Sequence, residues 1–236
     1  MERIERFKIA GYGGGVSDAL VSLGIRGGVL SQRFIPLIPG QVICGRALPV
    51  KLHADPGIET EEGRKRMDEY WERHGGHPQK RMMRTVAEKE DGTVLCFDCG
   101  GDMQPAHFGE MSSQVAYAHG CRGMIIAGNC RDTRYIRKMK DFPVYSFGRT
   151  PNAFGGWYIT EVDVPIWLPG HLTHYVCVNP GDFIFGDDDG IQVIPADYVD
   201  EVLLRTEIIH EFENREREQL RAGMPVDEVY RQFGVL

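Results

Sequence analysis

Thr93-Val94-Leu95-Cys96-Phe97, Gly123-Met124-Ile125-Ile126-Ala127 and Val144-Tyr145-Ser146-Phe147 are three short apolar runs separated by stretches of helix length. Each reads as a buried strand. Between the first two, Glu110 to His119 reads as a helix stopped by Gly120. Between the second and third, Asp132 to Met139 reads as a helix with Tyr135, Ile136 and Met139 on one face. The order is βαβαβ, which implies parallel pairing with right-handed crossovers.

The texture is β-rich on both sides of this unit. Gln41–Cys44 and Ala47–Lys51 precede it as two expected strands, and Trp157–Val162, Tyr175–Val178, Asp182–Phe185 and Ile191–Ile194 follow, separated by Pro, Gly and Asp turns. From Pro195 to Arg221 the apolar positions Val199, Val202, Leu203, Ile209 and Phe212 recur at helical spacing before Glu213–Glu218 turn polar. The expected fold is therefore α/β: a layered β/β/α sandwich with a central βαβαβ unit and a long C-terminal helix. We expect one domain over 1–236, a helical insertion or lid at 59–92, and an oligomerisation helix at 196–222 that leaves the domain body.

Composition bounds the function. The chain has 236 residues, 42% of them hydrophobic and 26% charged, which is globular and not disordered. A net charge of −7 without a segregated basic patch argues against nucleic-acid binding. The charged opening Met1-Glu2-Arg3-Ile4-Glu5-Arg6 is unlike a signal peptide, and no apolar run approaches the roughly 20 residues of a membrane helix. A cytoplasmic location is expected, with no membrane partner and with all six cysteines reduced.

Open α/β sheets bind ligands beyond the carboxyl ends of their strands. After the first strand comes Cys99-Gly100-Gly101-Asp102, then Gly109-Glu110 and the helix opening Met111-Ser112-Ser113. The unpartnered N–H groups of that helix end suit a small anion such as a carboxylate. After the neighbouring strand comes Gly128-Asn129-Cys130-Arg131-Asp132. An anion-binding helix end, a guanidinium and two acids, Glu110 and Asp132, make a coherent site for a divalent metal and a 2-oxo acid.

Glu110, twenty intervening residues and then Arg131-Asp132 resembles the acidic-x20-Arg-Asp signature of the class II pyruvate aldolases in the RraA-like family, the 4-hydroxy-4-methyl-2-oxoglutarate aldolases. Val16-Ser17-Asp18-Ala19-Leu20, Gly100-Gly101-Asp102, Phe142-Pro143-Val144, Thr150-Pro151, Pro180-Gly181-Asp182, Asp187-Asp188-Asp189-Gly190 and Leu220-Arg221-Ala222-Gly223 extend the resemblance over most of the chain. It implies a swivelling-domain-like fold and a lyase that cleaves a 4-hydroxy-2-oxo acid, or decarboxylates oxaloacetate, through a pyruvate enolate. It implies that Asp132 binds Mg²⁺ or Mn²⁺, that Glu110 acts through metal-bound water, and that the N–H groups of Met111 and Ser112 hold the substrate carboxylate while Arg131 contacts the keto or hydroxyl oxygen. It further implies a homotrimer or homohexamer in which an acid from an adjacent subunit, Glu213 or else Glu211, covers the site. Met111-Ser112 stands where the family usually carries two leucines, and the 59–92 segment is longer than usual; both bear on substrate choice. The family also contains non-catalytic regulators that bind ribonuclease E, which is the alternative function.

Other signals are weaker. Cys96-Phe97-Asp98-Cys99 has no second cysteine pair at metal-ligand spacing. Gly11-Tyr12-Gly13-Gly14-Gly15, before a helix expected to be capped by Ser17, is a tight turn more than a nucleotide or S-adenosylmethionine loop. His171 and His174 are read among strands, on opposite faces, and Asp187–Gly190 as a hairpin turn.

Overall fold

A computed structural model describes residues 2–89, 92–153 and 156–234. Helices α1 (Arg3–Ala10) and α2 (Gly13–Ser22) open the chain, followed by strands β1 (Ile35–Pro36) and β2 (Ile43–Ala54). Helices α3 (Glu61–Arg73) and α4 (Pro78–Glu88) occupy the segment at 59–92, of which residues 90 and 91 lie outside the described residues. Then come β3 (Thr93–Asp98), β4 (Ala106–Phe108), α5 (Glu110–Ala118), β5 (Cys121–Cys130), α6 (Thr133–Ile136) and β6 (Val144–Arg149). Strands β7 (Trp157–Val162), β8 (Ile166–Pro169), β9 (Tyr175–Val178), β10 (Phe183–Asp187) and β11 (Gly190–Ile194) precede α7 (Val199–Arg221) and α8 (Val226–Phe233).

The main sheet runs β1-β6-β5-β3-β2-β10-β11, with β4 paired to β5 and β7 to β2. β2, β3, β5 and β6 are mutually parallel, as the βαβαβ reading requires. Side chains on these strands alternate between two cores. Leu95, Phe97, Met124 and Ile126 face the helices α4 and α5, whose Met82, Val86 and Ala116 join them. Val94, Cys96, Ile125 and Ala127 face the β8-β9 hairpin, which contributes Ile166, Leu168, Val176 and Val178. Single bridges, Val29 to Gln192 and Leu30 to Gly170, tie β11 to this hairpin, so the β layers nearly close on themselves. A third core packs α1, α2 and the first turns of α7 on β10 and β11 through Phe7, Val16, Phe183, Phe185, Val202 and Leu203. The layered β/β/α sandwich with a long C-terminal helix is thus the observed architecture.

Several local expectations are corrected. The two strands at Gln41–Cys44 and Ala47–Lys51 are one continuous strand, because Gly45 and Pro49 both keep their ladder positions against β10 and β3. The helix expected at Asp132 to Met139 is a single turn, and Tyr135 is exposed while Ile136 and Met139 are buried. The second helix starts at Gly13, not at a Ser17 cap. His171 and His174 flank the turn between β8 and β9 and do not lie within strands.

Two buried polar side chains lie within the framework. Asp182, 5% exposed, accepts hydrogen bonds from Asn179 N at 2.8 Å and Ala196 N at 3.1 Å, so it fastens the turn before β10 to the chain leaving β11. Asp182→Ala removes the acceptor of these part-buried hydrogen bonds and is expected to lower the unfolding free energy by about 1–2 kcal/mol in urea titrations; a loss below about 0.5 kcal/mol removes the anchoring role.

His107 lies on β4 at 3% exposure, its Nε2 3.5 Å from Asp102 Oδ2. Burial pushes its pKa below 6.5, against the pull of the Asp102 carboxylate. The unfolded chain therefore takes up this proton first, and the contribution of His107 to stability is whole above about pH 6.5 and falls below it. Urea unfolding between about pH 7.5 and 5.5 is expected to show a shallower loss in His107→Gln; an unchanged slope excludes the effect.

Candidate active site

The site is assembled by a short strand. β4 pairs in parallel with the end of β5, Ala106 opposite Asn129 and Phe108 opposite Cys130, and Arg131 N donates to Phe108 O at 3.0 Å. Residues on either side of the twenty-residue spacing thereby become neighbours. Gly109 follows β4 and caps α5 in an extended conformation. A Cβ at this position would stand 2.6 Å from Asp132 Oδ2 and 3.1 Å from Arg131 Nε, so any side chain larger than glycine's would push the Asp132 carboxylate from its place.

Asp132 occupies the left-handed region, φ 57° and ψ 27°, which an aspartate tolerates better than most residues. That turn breaks β5 away from the sheet and folds the carboxylate back over the opening of α5, where Oδ2 accepts from Glu110 N at 3.2 Å. Asp132 stands at the N-cap position of α6 but makes no side-chain cap bond there; its carboxylate serves α5 instead. Ser113 N and Oγ both reach Gly109 O, at 3.1 and 2.9 Å. The N–H groups of Met111 and Ser112 have no acceptor within their own helix and remain open to a ligand. Arg131 Nε is 3.6 Å from Asp132 Oδ2, and the two side chains are 41% and 44% exposed, so cation and anion are both open to solvent.

A cleft of about 340 Å³ opens beside them. Gly109, Ser112 and Arg131 form its floor, Trp71, His77 and Gln79 from the α3–α4 segment form one wall, and Trp157, Tyr158 and Ile159 of β7 form another. His77 begins α4: its Nδ1 accepts from Gln79 N at 3.3 Å, leaving the proton to Nε2. Desolvation, with help from Lys80, holds its pKa below the ordinary value. Trp71 lies against His77 with ring centroids 4.4 Å apart, and Trp157 against His107 at 5.5 Å.

The structure thus brings together Glu110, Met111, Ser112, Arg131 and Asp132. Glu213 is elsewhere, on α7, ion-paired with Arg217 and beside the Tyr12 hydroxyl; Glu211 pairs with Arg215. The aromatic walls escape sequence reading, because nothing in the spacing of Trp71, His77 and Trp157 links them; His77-Pro78 marks only a helix start. Cys96 and Cys99 face the two opposite cores, so the CxxC cannot act as a pair. Among the described residues no three His, Cys, Asp or Glu side chains form a self-sufficient metal cage. All six cysteines are free thiols, and no described helix is long and apolar enough to cross a membrane.

Known proteins resemble this chain in sequence and fold. DlpA of Legionella pneumophila is 26% identical over 92% of this chain, which spans only 32% of that relative's length. The 4-hydroxy-4-methyl-2-oxoglutarate aldolase of Thermus thermophilus is 30% identical over 64% of this chain and 85% of its own. The crystal structure of RraAS2 from Streptomyces coelicolor, described as an unusual member of the RNase ES inhibitor RraA protein family, superposes with a TM-score of 0.66 at 21% identity, covering 87% of this chain and 92% of its own, and shares the fold. The model of the RraA-like family, described as Aldolase/RraA, matches residues 14–193, and the protein belongs to that family.

Proposed function

We propose that this cleft, together with the Asp132 and Glu110 carboxylates beside it, is a divalent-metal-dependent lyase centre that cleaves the C3–C4 bond of a 4-hydroxy-2-oxo acid, or removes CO₂ from oxaloacetate, releasing pyruvate. The observation that carries the reading is the β4–β5 pairing, which sets Arg131 and Asp132 against the open N-terminus of α5.

The donor set fits Mg²⁺ or Mn²⁺. These hard cations take oxygen ligands, and Mg²⁺ is usually held by one or two carboxylates with waters and substrate oxygens. Asp132 keeps Oδ1 without a hydrogen bond among the described residues and would hold the ion directly, with Glu110 acting through a water. Bound there, such an ion lowers the energy of negative charge on the substrate's keto oxygen.

The N–H groups of Met111 and Ser112 bind the substrate carboxylate at the positive end of α5. Arg131 hydrogen-bonds the keto oxygen. As C3–C4 breaks, the electron pair stays on C3 and charge moves to that oxygen, where the guanidinium meets it. The C4 hydroxyl loses its proton as C4 becomes a carbonyl, and C3 takes one to give pyruvate. Decarboxylation of oxaloacetate yields the same enolate and uses the same groups.

Exposed Leu204, Ile208 and Phe212 recur on one side of α7 at helical spacing. We take this stripe as a contact surface of a homotrimer or homohexamer, in which Glu213 of one subunit reaches the site of another once released from Arg217.

Pyruvate release from 4-hydroxy-4-methyl-2-oxoglutarate and oxaloacetate, measured with Mg²⁺ or Mn²⁺ and then with EDTA, tests the chemistry. Arg131→Ala is expected to lower kcat about 100- to 1,000-fold, or about 2.7–4 kcal/mol of transition-state stabilisation. Asp132→Asn keeps an acceptor for Glu110 N yet is expected to abolish metal-dependent turnover. Full activity in both variants sinks the assignment, and no turnover by the parent on any pyruvyl substrate turns the reading to an RraA-type binding regulator. Light scattering is expected to give the mass of three or six chains; a monomer removes the role assigned to Glu213.

A further inference from the structure

The walls of the cleft say which substrate it takes. Among its described lining residues Arg131 is the one permanently charged side chain; no lysine, aspartate or glutamate joins it. The lyase reading already engages Arg131 with the pyruvyl half. A second carboxylate, on the half of the substrate beyond C4, would find no cationic partner among the lining residues of its own subunit, and an unpaired buried charge is heavily penalised. The two histidines do not supply one, since burial holds both His77 and His107 toward their neutral forms.

What the walls offer instead is ring surface. Trp71 comes from α3 and Trp157 and Tyr158 from β7, with Ile159 and Ala153 between polar groups at the mouth. Flat aromatic groups gain from apolar burial and from edge or offset contact with such rings. A volume of about 340 Å³ lies at the small end of ligand pockets, which run from about 300 Å³, and suits a pyruvyl unit plus one ring.

We infer that the carbonyl compound released with pyruvate is an uncharged aromatic aldehyde lodged against Trp71 and Trp157, not a carboxylate-bearing one. The inference rests on the lyase reading above. In the reaction C3–C4 breaks, its electron pair remains on C3, the C4 hydroxyl becomes the aldehyde with loss of its proton, and C3 gains a proton. No oxidant or reductant enters.

The experiment compares two substrates and two unreactive analogues on the metal-loaded protein. The kcat/KM for 4-hydroxy-2-oxo-4-phenylbutanoate is expected to exceed that for 4-hydroxy-4-methyl-2-oxoglutarate by on the order of 100-fold. Calorimetry is expected to show 2-oxo-4-phenylbutanoate binding more tightly than 2-oxoglutarate. Trp157→Ala is expected to raise KM for the phenyl substrate more than it lowers kcat, and Gln79→Arg to shift preference toward the dicarboxylate. Metal-dependent exchange of pyruvate methyl protons in D₂O checks the underlying chemistry separately, since it needs no distal group. Exchange together with a preference for the dicarboxylates overturns the inference while leaving the lyase intact. Absence of exchange overturns the lyase reading and the inference with it.

Discussion

Everything at the candidate site depends on how closely Gly109 passes Asp132. The carboxylate oxygen occupies the space that any side chain at residue 109 would need, and it also accepts the first N–H of α5. The left-handed backbone at Asp132 makes this possible by bending the chain back at the end of β5. One contact therefore fixes the open helix end, the guanidinium beside it and the carboxylate of the proposed metal site. Catalytic groups need this kind of fixed approach, because misplacement by about 1 Å can cost two orders of magnitude in rate.

The rest of the fold keeps that contact from drifting. β5 is buried on both faces, with Met124 and Ile126 against the helices and Ile125 and Ala127 against the β8-β9 hairpin. A register slip by one residue would exchange the two faces, and each is shaped by different partners. Asp182 and the turn around it secure β10, which pairs with β2 and so continues the same sheet. The carboxyl end of β5, where Arg131 and Asp132 emerge, is thus held from both sides.

The strands that build the platform are legible because β3, β5 and β6 are continuous apolar runs, and the candidate site residues are legible because Glu110, Arg131 and Asp132 lie just beyond the ends of two of them. What joins the two halves is not. Ala106-His107-Phe108 is three residues long with a histidine in the middle, and its strand character comes only from pairing with β5. For the same reason Gly128-Asn129-Cys130 reads as loop: its ladder partners lie on β4 and β6, remote in sequence. β2 is hidden by Gly45 and Pro49, which local propensity treats as breaks and a well-supported ladder overrides. The helices of the 59–92 segment follow from composition and capping, but that Trp71 and His77 overlie the crevice is a tertiary fact with no local signature.

Attachment to the core weakens from the floor of the cleft to its wall. α5 is fixed by Ser113 and Ala116 and by the Asp132 contact. α4 buries Met82, Met83 and Val86 in the same core, so His77 and Gln79 at its start are also well placed. α3 buries only Gly63 and Met67 of its thirteen residues and is held at its start by the Thr60 cap on Gly63 N. Few buried apolar contacts mean low local stability, so the Trp71 wall belongs to the easily opened part of the molecule. This gradient matches what each part would do in the proposed lyase. Charge stabilisation at the pyruvyl end tolerates no play, whereas a wall that contacts an uncharged group through dispersion and apolar burial loses little from small displacements. Changes of side chain on α3 and α4 can therefore alter what the cleft admits without moving Arg131 or Asp132, because the pairing that positions those residues runs through β4, β5 and β6.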